Sequence, residues 1–290
     1  MPTELLSQLL TFSSPFPEHP GTIRLLEPAG ADAEPFRRQL LAATYPRPFL
    51  LENDSTRGLL FDLDYIQSSM RLDAPDALDL LYSHYMMAFL LFHTQVKTMV
   101  LLGLGGGSLA KYCYRHLPQV DLTAIEFNPD VIAFRRAFHL PEDDQRFRVI
   151  EADAALYVAA DGPPFDVILM DAFDGRGVAQ SVTQLSFYQL ARQRLSKSGI
   201  LVANISGESA ERRAHLDLIR EAFGDNLLVA NVDDGSNHII FAFRDPHFEP
   251  RWKWIASQAQ AMKARFGLDL PKIAAEFRRN QERGWESVPI

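Results

Sequence analysis

One cysteine, Cys113, stands in a chain of 290 residues. No internal disulfide can therefore form, and no cysteine-based metal cluster is available. No apolar run approaches the roughly 18 residues that span a bilayer, and the first residues lack the basic start and apolar core of a signal peptide. A cytoplasmic protein with no membrane partner is expected. Positive charge is also scarce: 29 Lys and Arg face 37 Asp and Glu, a formal charge of −8. That balance argues against a nucleic-acid surface and is compatible with a cationic ligand. There is no Gly-x-Ser-x-Gly elbow and no Walker loop. His84, His93, His116 and His139 show no metal-ligand spacing, so no metal is expected. Internal repeats and low-complexity linkers are missing too. What remains, 47% apolar and 23% charged residues, is the composition of an ordinary globular protein.

Residues 1–47 are rich in Pro and Ala with little period, and predict a loosely packed arm with one helix near 35–43. Short apolar runs at 49–51, 58–63 and 65–67, with turn chemistry at Asn53-Asp54-Ser55, predict a small antiparallel hairpin unit. Residues 77–92 are strongly apolar without Gly or Pro and predict a mostly buried helix. Strands and helices then alternate. Strands are expected at 98–102, 122–125, 147–150, 165–170 and 200–205, and helices at 109–116, 130–138, 181–196 and 209–223. Pro129 is placed to begin the second of these helices. Runs at 227–232 and 238–243 predict a closing strand pair joined by Asp233-Asp234-Gly235-Ser236-Asn237. The tail from Arg251 reads as two helices broken around 267–271. The fold class expected is α/β: a Rossmann-like class I methyltransferase sheet, mostly parallel with a terminal antiparallel hairpin, behind a small N-terminal β-hairpin domain. The division expected is an arm and small β domain over 1–75, a nucleoside-binding catalytic domain over 76–246, and a helical extension over 247–290.

Polar signals recur where strands give way to loops, the ligand-binding edge of an open parallel sheet. The strand at 98–102 runs into Gly103-Leu104-Gly105-Gly106-Gly107. Such a turn lets backbone approach a ligand, and the helix behind it offers free N–H groups; a tight turn without ligand is the competing reading. Glu126 ends the next strand about 20 positions on, the spacing of a carboxylate that accepts from ribose hydroxyls. The loop departs from Gly-x-Gly-x-x-Gly, which disfavours a nicotinamide dinucleotide. Asp153 ends the third strand, placed to accept from an adenine amino group, to cap the following helix, or both. Asp171 and Asp174, three apart after a core strand, would form a negative pocket for an amine; an exposed turn is the alternative. An amine with a lysine-like pKa is protonated at neutral pH, and holding it neutral costs about 4–5 kcal/mol. A carboxylate can orient the amine and take its proton as the new bond forms.

Ile66-Gln67, Tyr82-Ser83-His84-Tyr85-Met86, residues 100–109, Ala124-Ile125-Glu126, Asp153 and Asp171-Ala172-Phe173-Asp174-Gly175 follow the motif order of the spermidine synthases, the polyamine aminopropyltransferases. The resemblance covers about residues 48–245. It implies a small β domain before a Rossmann-like domain, and a homodimer or homotetramer. It implies decarboxylated S-adenosylmethionine as donor and a small-molecule amine as acceptor. By resemblance, Gln67 and the loop of Gly103, Gly105, Gly106 and Gly107 contact the donor. Glu126 holds its ribose and Asp153 its adenine. Asp171 is the catalytic carboxylate, and Asp174 and His84 belong with the acceptor. Five positions in three segments depart from the family pattern. Gly105 stands where the family has an aspartate that grips the donor's ammonium. Ser83 and Tyr85 replace the Tyr and Glu of its Tyr-His-Glu-Met segment. Ala172-Phe173 replaces a Ser-Ser pair. Two alternatives therefore stay open: an alkyltransferase using ordinary S-adenosylmethionine, for whose carboxylate Gly105 leaves room, and a nucleoside-binding regulator without turnover.

Overall fold

The computed structural model describes residues 6–63, 66–174, 177–232 and 237–284, without the side chain of Asp174. Tyr65, Gly175 and the turn residues 233–236 lie outside the described residues.

Five antiparallel strands come first: β1 (Leu9–Ser13), β2 (Thr22–Pro28), β3 (Phe49–Glu52), β4 (Thr56–Leu60) and β5 (Ile66–Arg71), side by side in that order. The expected loose arm is thus corrected, because two of these strands come from it. Phe12 pairs with Ile23 and Leu10 with Leu25, and all four are buried with Phe49, Leu60 and Leu40. A five-residue strand leaves too short an alternation to stand out among prolines, and its partner's register is what gives it an inner face. Leu40 comes from helix α1 (Ala33–Leu41), capped by Asp32, whose Oδ1 accepts from Glu34 N at 3.0 Å. The turn between β3 and β4 follows the expected chemistry: Asn53 Oδ1 accepts from Ser55 N and Thr56 N at 2.9 and 2.8 Å.

The expected helix at 77–92 is shorter. Only α2 (Leu81–Met86) is α-helical, followed by a 3-10 turn over Met87–Leu91. Leu80 gives no capping oxygen, and Asp79, one residue earlier, is held on β5 by the Ser69 hydroxyl. Then comes the alternating region: β6 (Thr98–Leu102), α3 (Ser108–His116), β7 (Asp121–Glu126), α4 (Pro129–Ala133), β8 (Phe147–Glu151), α5 (Ala154–Ala159), β9 (Phe165–Met170), the short pair β10 (Phe173–Asp174) and β11 (Gly177–Val178), α6 (Leu185–Arg194), β12 (Leu195–Ile205), α7 (Ser209–Phe223), β13 (Leu227–Asn231) and β14 (His238–Phe243). The tail forms α8 (Trp252–Phe266) and α9 (Leu270–Arg283).

Seven strands build one sheet in the order β13-β14-β12-β9-β6-β7-β8. β12, β9, β6, β7 and β8 run parallel; β14 is antiparallel to both β12 and β13. This is the expected mostly parallel sheet with its closing hairpin. β6 shows why it needs two covered faces. Met99 and Leu101 pack with α3, α8 and α9 residues, whereas Val100 and Leu102 pack with α5, α6 and α7 residues. The helix expected at 130–138 stops at Ala133. Beyond it Phe134 N and Arg135 N donate three residues back, to Val131 O and Ile132 O at 3.1 and 3.0 Å, so the chain continues in tighter turns, and Arg57 from β4 and Lys111 from α3 bind the carbonyls of Ala137 and Phe138, the latter at 2.7 Å. No helix among the described residues is long and apolar enough to cross a membrane.

Candidate functional site

The carboxyl ends of β6, β7, β9 and β12 open into a cavity of about 880 Å³ that β5 and α2 wall off from the other side. That is the size of a small-molecule site. The topology explains the gathering. β6 lies between β7 and β9, so Gly103 follows Leu102 at the middle of the edge; its N–H donates to Ile125 O at 2.8 Å while Asp171 N donates to Leu102 O at 2.8 Å. Gly103 has φ +92, and a Cβ there would collide with the Asp171 carbonyl. Glycine at 103 is what allows the β6 and β9 loops to touch.

Glu126, at the end of β7, is wrapped by this loop. Its Oε2 accepts from Leu104 N at 2.9 Å and its Oε1 from Asn128 N at 2.8 Å. Burial pushes its pKa up, against the pull of those backbone N–H groups. The backbone N–H groups of Gly105 and Phe127 also favour the ionised carboxylate, which keeps it an acceptor for a ligand hydroxyl. Asp171, at the end of β9, is held from two sides: Asn204 Nδ2 donates to its Oδ1 at 2.8 Å and Tyr82 Oη to its Oδ2 at 3.1 Å. Burial raises the Asp171 pKa, and both hydrogen bonds pull it back down. Tyr82 is pushed well above the usual phenol value by burial and then by the Asp171 charge, so it stays a donor.

Gln67, Gly103, Gly105, Glu126 and Asp171 all line the cavity. Gly105 has φ +52, and its nearest neighbours are Ser68 and the Gln67 carbonyl, with no charged group among them. Gly106 backs onto Ser68 and Phe138, and Gly107 onto Leu140; they shape the turn. Asp153 does not line the cavity. Its Oδ1 caps α5 through Leu156 N at 2.9 Å, just after Ala152, whose N–H donates to Glu126 O at 3.0 Å. His84 is outside the lining, its Nε2 bound to Leu78 O at 3.0 Å. Asp174 falls at the end of β10, on the loop that leaves Asp171; its side chain is outside the described residues.

Lining residues not singled out as functional from the sequence include Tyr82, Asn204 and Asn237, and the acids Asp62, Glu208 and Glu211. The tyrosine facing the cavity is one position before Ser83, which is buried with its hydroxyl on Leu80 O. Tyr85 points away, to Glu276 Oε2 on α9 at 2.8 Å. Asn204 had one available signal, a lone amide in the apolar run 200–205.

Among the described residues, the ionisable side chains of the lining, apart from Tyr82, are Asp62, Glu126, Asp171, Glu208 and Glu211; no Lys, Arg or His is among them. Leu80, Leu81, Ile66 and Phe173 add apolar surface beside these acids. Such a cavity attracts cations carried on short alkyl chains and repels anions. No group of three or more His, Cys, Asp and Glu side chains among the described residues is arranged to hold a metal.

Residues 80–222 match the model of the spermine/spermidine synthase domain. A polyamine aminopropyltransferase of Chromobacterium violaceum is 32% identical over 252 residues, spanning 86% of this chain and 97% of that protein. Among solved structures, a probable spermidine synthase from Corynebacterium glutamicum superposes with a TM-score of 0.62 at 21% identity, covering 73% of this chain and 84% of the other. Human methyltransferase-like protein 13, crystallised with SAH, gives 0.59 at 22% identity and covers 65% of this chain and 93% of the other. Both share the fold.

Proposed function

The chain belongs to the spermine/spermidine synthase family and is a transferase, and we propose that it moves an aminopropyl group from decarboxylated S-adenosylmethionine onto a small amine. The observation that carries the reading is the cavity in which Glu126 and Asp171 meet with no basic side chain in the described lining. The donor is a substrate. Its ribose hydroxyls donate to the Glu126 carboxylate, its adenine lies toward Asp153, and its sulfonium carbon faces Asp171. Gln67 and the backbone at Gly103 and Gly105 flank the chain being transferred.

The amine nitrogen attacks the methylene carbon next to sulfur. A C–N bond forms as the C–S bond breaks, the electron pair goes to sulfur, and methylthioadenosine leaves. Asp171 accepts the proton that the nitrogen loses. Holding amine and carbon in line supplies much of the rate, and a carboxylate whose pKa is raised by burial is a better proton acceptor than an exposed one. Asp174 takes a second ammonium of the acceptor. His84 supports the 78–82 segment from behind. The reading carries with it a cytoplasmic enzyme working as a homodimer or homotetramer.

Gly105 favours a second reading, transfer from ordinary S-adenosylmethionine, because its surroundings are uncharged. Against it, the described lining offers the donor's carboxylate no cation. Calorimetric titration with S-adenosylmethionine, its decarboxylated form and methylthioadenosine decides between the two. Tighter binding of the decarboxylated form supports aminopropyl transfer, and tighter binding of the carboxylated form overturns it. Asp171→Asn is expected to keep donor affinity within about twofold and to lose at least about 100-fold in kcat; equal activity would remove Asp171 from the mechanism.

A further inference from the structure

Asn204 is 1% exposed and sits at the end of β12. Burying an amide is costly unless both of its polar ends are paired. Both are: Nδ2 donates to Asp171 Oδ1 at 2.8 Å, and Oδ1 accepts from Asn237 Nδ2 at 2.9 Å. The position follows from strand register, because Ala203 pairs with Met170 in the parallel ladder. The next residue on each strand is therefore Asn204 beside Asp171. The two bonds also fix which way the amide faces. Rotated by 180°, Asn204 would turn its oxygen toward a carboxylate oxygen and its NH₂ toward the NH₂ of Asn237.

We propose that Asn204 is a positioning residue for Asp171: oriented by Asn237, it donates to one carboxylate oxygen, keeps that carboxylate ionised, and leaves the oxygen shared with Tyr82 to take the amine's proton. The proposal rests on the reading that Asp171 accepts this proton. The groups that hold Asp171 are Tyr82 from α2 and Asn204 from β12. The other acids of the cavity are Asp62 before β5, Glu126 from β7, and Glu208 and Glu211 at the start of α7. None of these donates a hydrogen bond to a carboxylate when ionised, so the amide and the phenol are what offset the burial of Asp171.

Two variants separate this role from packing. Asn204→Asp keeps the shape and an acceptor for Asn237 but replaces the donor facing Asp171 by a second acceptor. Asn237→Ala leaves Asn204 in place and removes what orients it. The readouts are the titration of the Asp171 carboxyl carbon by NMR in the free protein and the pH profile of kcat. In Asn204→Asp the coupled pair is expected to show its upper titration step about one pH unit or more above the wild-type Asp171 step. A smaller upward shift is expected in Asn237→Ala. The acid limb of kcat moves with the titration, while donor KM stays within about twofold.

An Asp171 titration unmoved in both variants, with kcat lowered equally at every pH, would overturn the proposal and leave a packing role. If Asn204→Asp does not fold, the titration of Asn237→Ala decides alone. Activity retained in Asp171→Asn would instead sink the proton-acceptor reading, whereas an unmoved titration beside an inactive Asp171→Asn would sink the role of Asn204 only.

Discussion

Asp171 is pulled in two directions, and the balance sets its chemistry. Burial favours its protonated form, while Asn204 and Tyr82 favour the anion. The outcome is a carboxyl whose pKa lies above the usual value but which still ionises, so kcat is expected to rise with pH through a step above the ordinary carboxylate range near 4. A pH profile flat from pH 4 upward would show that no such group limits turnover. Gly105 offers a test with the opposite sign, a gain. A Cβ there would have Ser68 Cβ as its nearest neighbour at 3.6 Å, an ordinary contact. Its left-handed φ is one that Asp tolerates better than most residues. Gly105→Asp is therefore expected to tighten binding of decarboxylated S-adenosylmethionine about tenfold and to weaken the carboxylated form, read by side-by-side titration. An unchanged preference would mean that position 105 does not face the transferred chain. Glu126 and Asp171 could be read from the sequence because each directly follows a run of strand-forming residues. Tyr82 and Asn204 could not, because their value comes from across the chain: Tyr82 meets a residue 89 positions away and Asn204 one 33 away.

At the scale of elements, the N-terminal sheet is tied to the parallel sheet by a small number of charged contacts. Arg47 donates to both oxygens of Asp130 on α4 at 2.8 and 2.7 Å, to Leu26 O at 2.6 Å and to Glu27 Oε1 at 3.1 Å. It thus clamps β2 to the helix that carries the cavity residue Val131. The pair is about a third exposed, which screens it, but its bidentate geometry keeps it worth about 1 kcal/mol. Arg47→Ala is expected to lower Tm by about 2–4 °C at neutral pH. Arg47 holds the Asp130 carboxyl below its usual range. The contribution is therefore full above the unfolded pKa near 4 and is lost as pH falls through the folded one. Melting curves of the two proteins should converge in acid; a gap that persists there would assign the loss to packing. The strands of the parallel sheet were legible because each is a short apolar run bounded by turn signals. The end of α4 was not: past Ala133 the chain tightens into turns, and Arg57 and Lys111 reach in from β4 and α3 to hold that segment at the carbonyls of Ala137 and Phe138. Local periodicity carries no trace of such partners.

For the molecule as a whole, sign of charge is the property that sequence and structure share. The chain carries −8 overall, and the cavity concentrates that excess as five acids with no basic side chain in the described lining. Two of them, Glu126 and Asp171, are buried enough that their own pKa values rise, and no basic side chain of the described lining stands beside them. An incoming ammonium therefore gains from the whole field as well as from its contacts. That long-range part is screened by salt, since the Debye length falls from about 14 Å at 0.05 M to about 4 Å at 0.5 M ionic strength. A dicationic amine is then expected to bind several-fold more weakly at the higher salt, whereas uncharged methylthioadenosine, which the proposed function places on Glu126 through hydrogen bonds, should change by less than about twofold. Calorimetry of the two ligands across the salt series reads the difference directly. Parallel weakening of both would locate the salt effect in the protein's own stability. Insensitivity of both would mean that the acids of the cavity do not act on the acceptor's charge, and the case for a cationic acceptor would then rest on family membership alone.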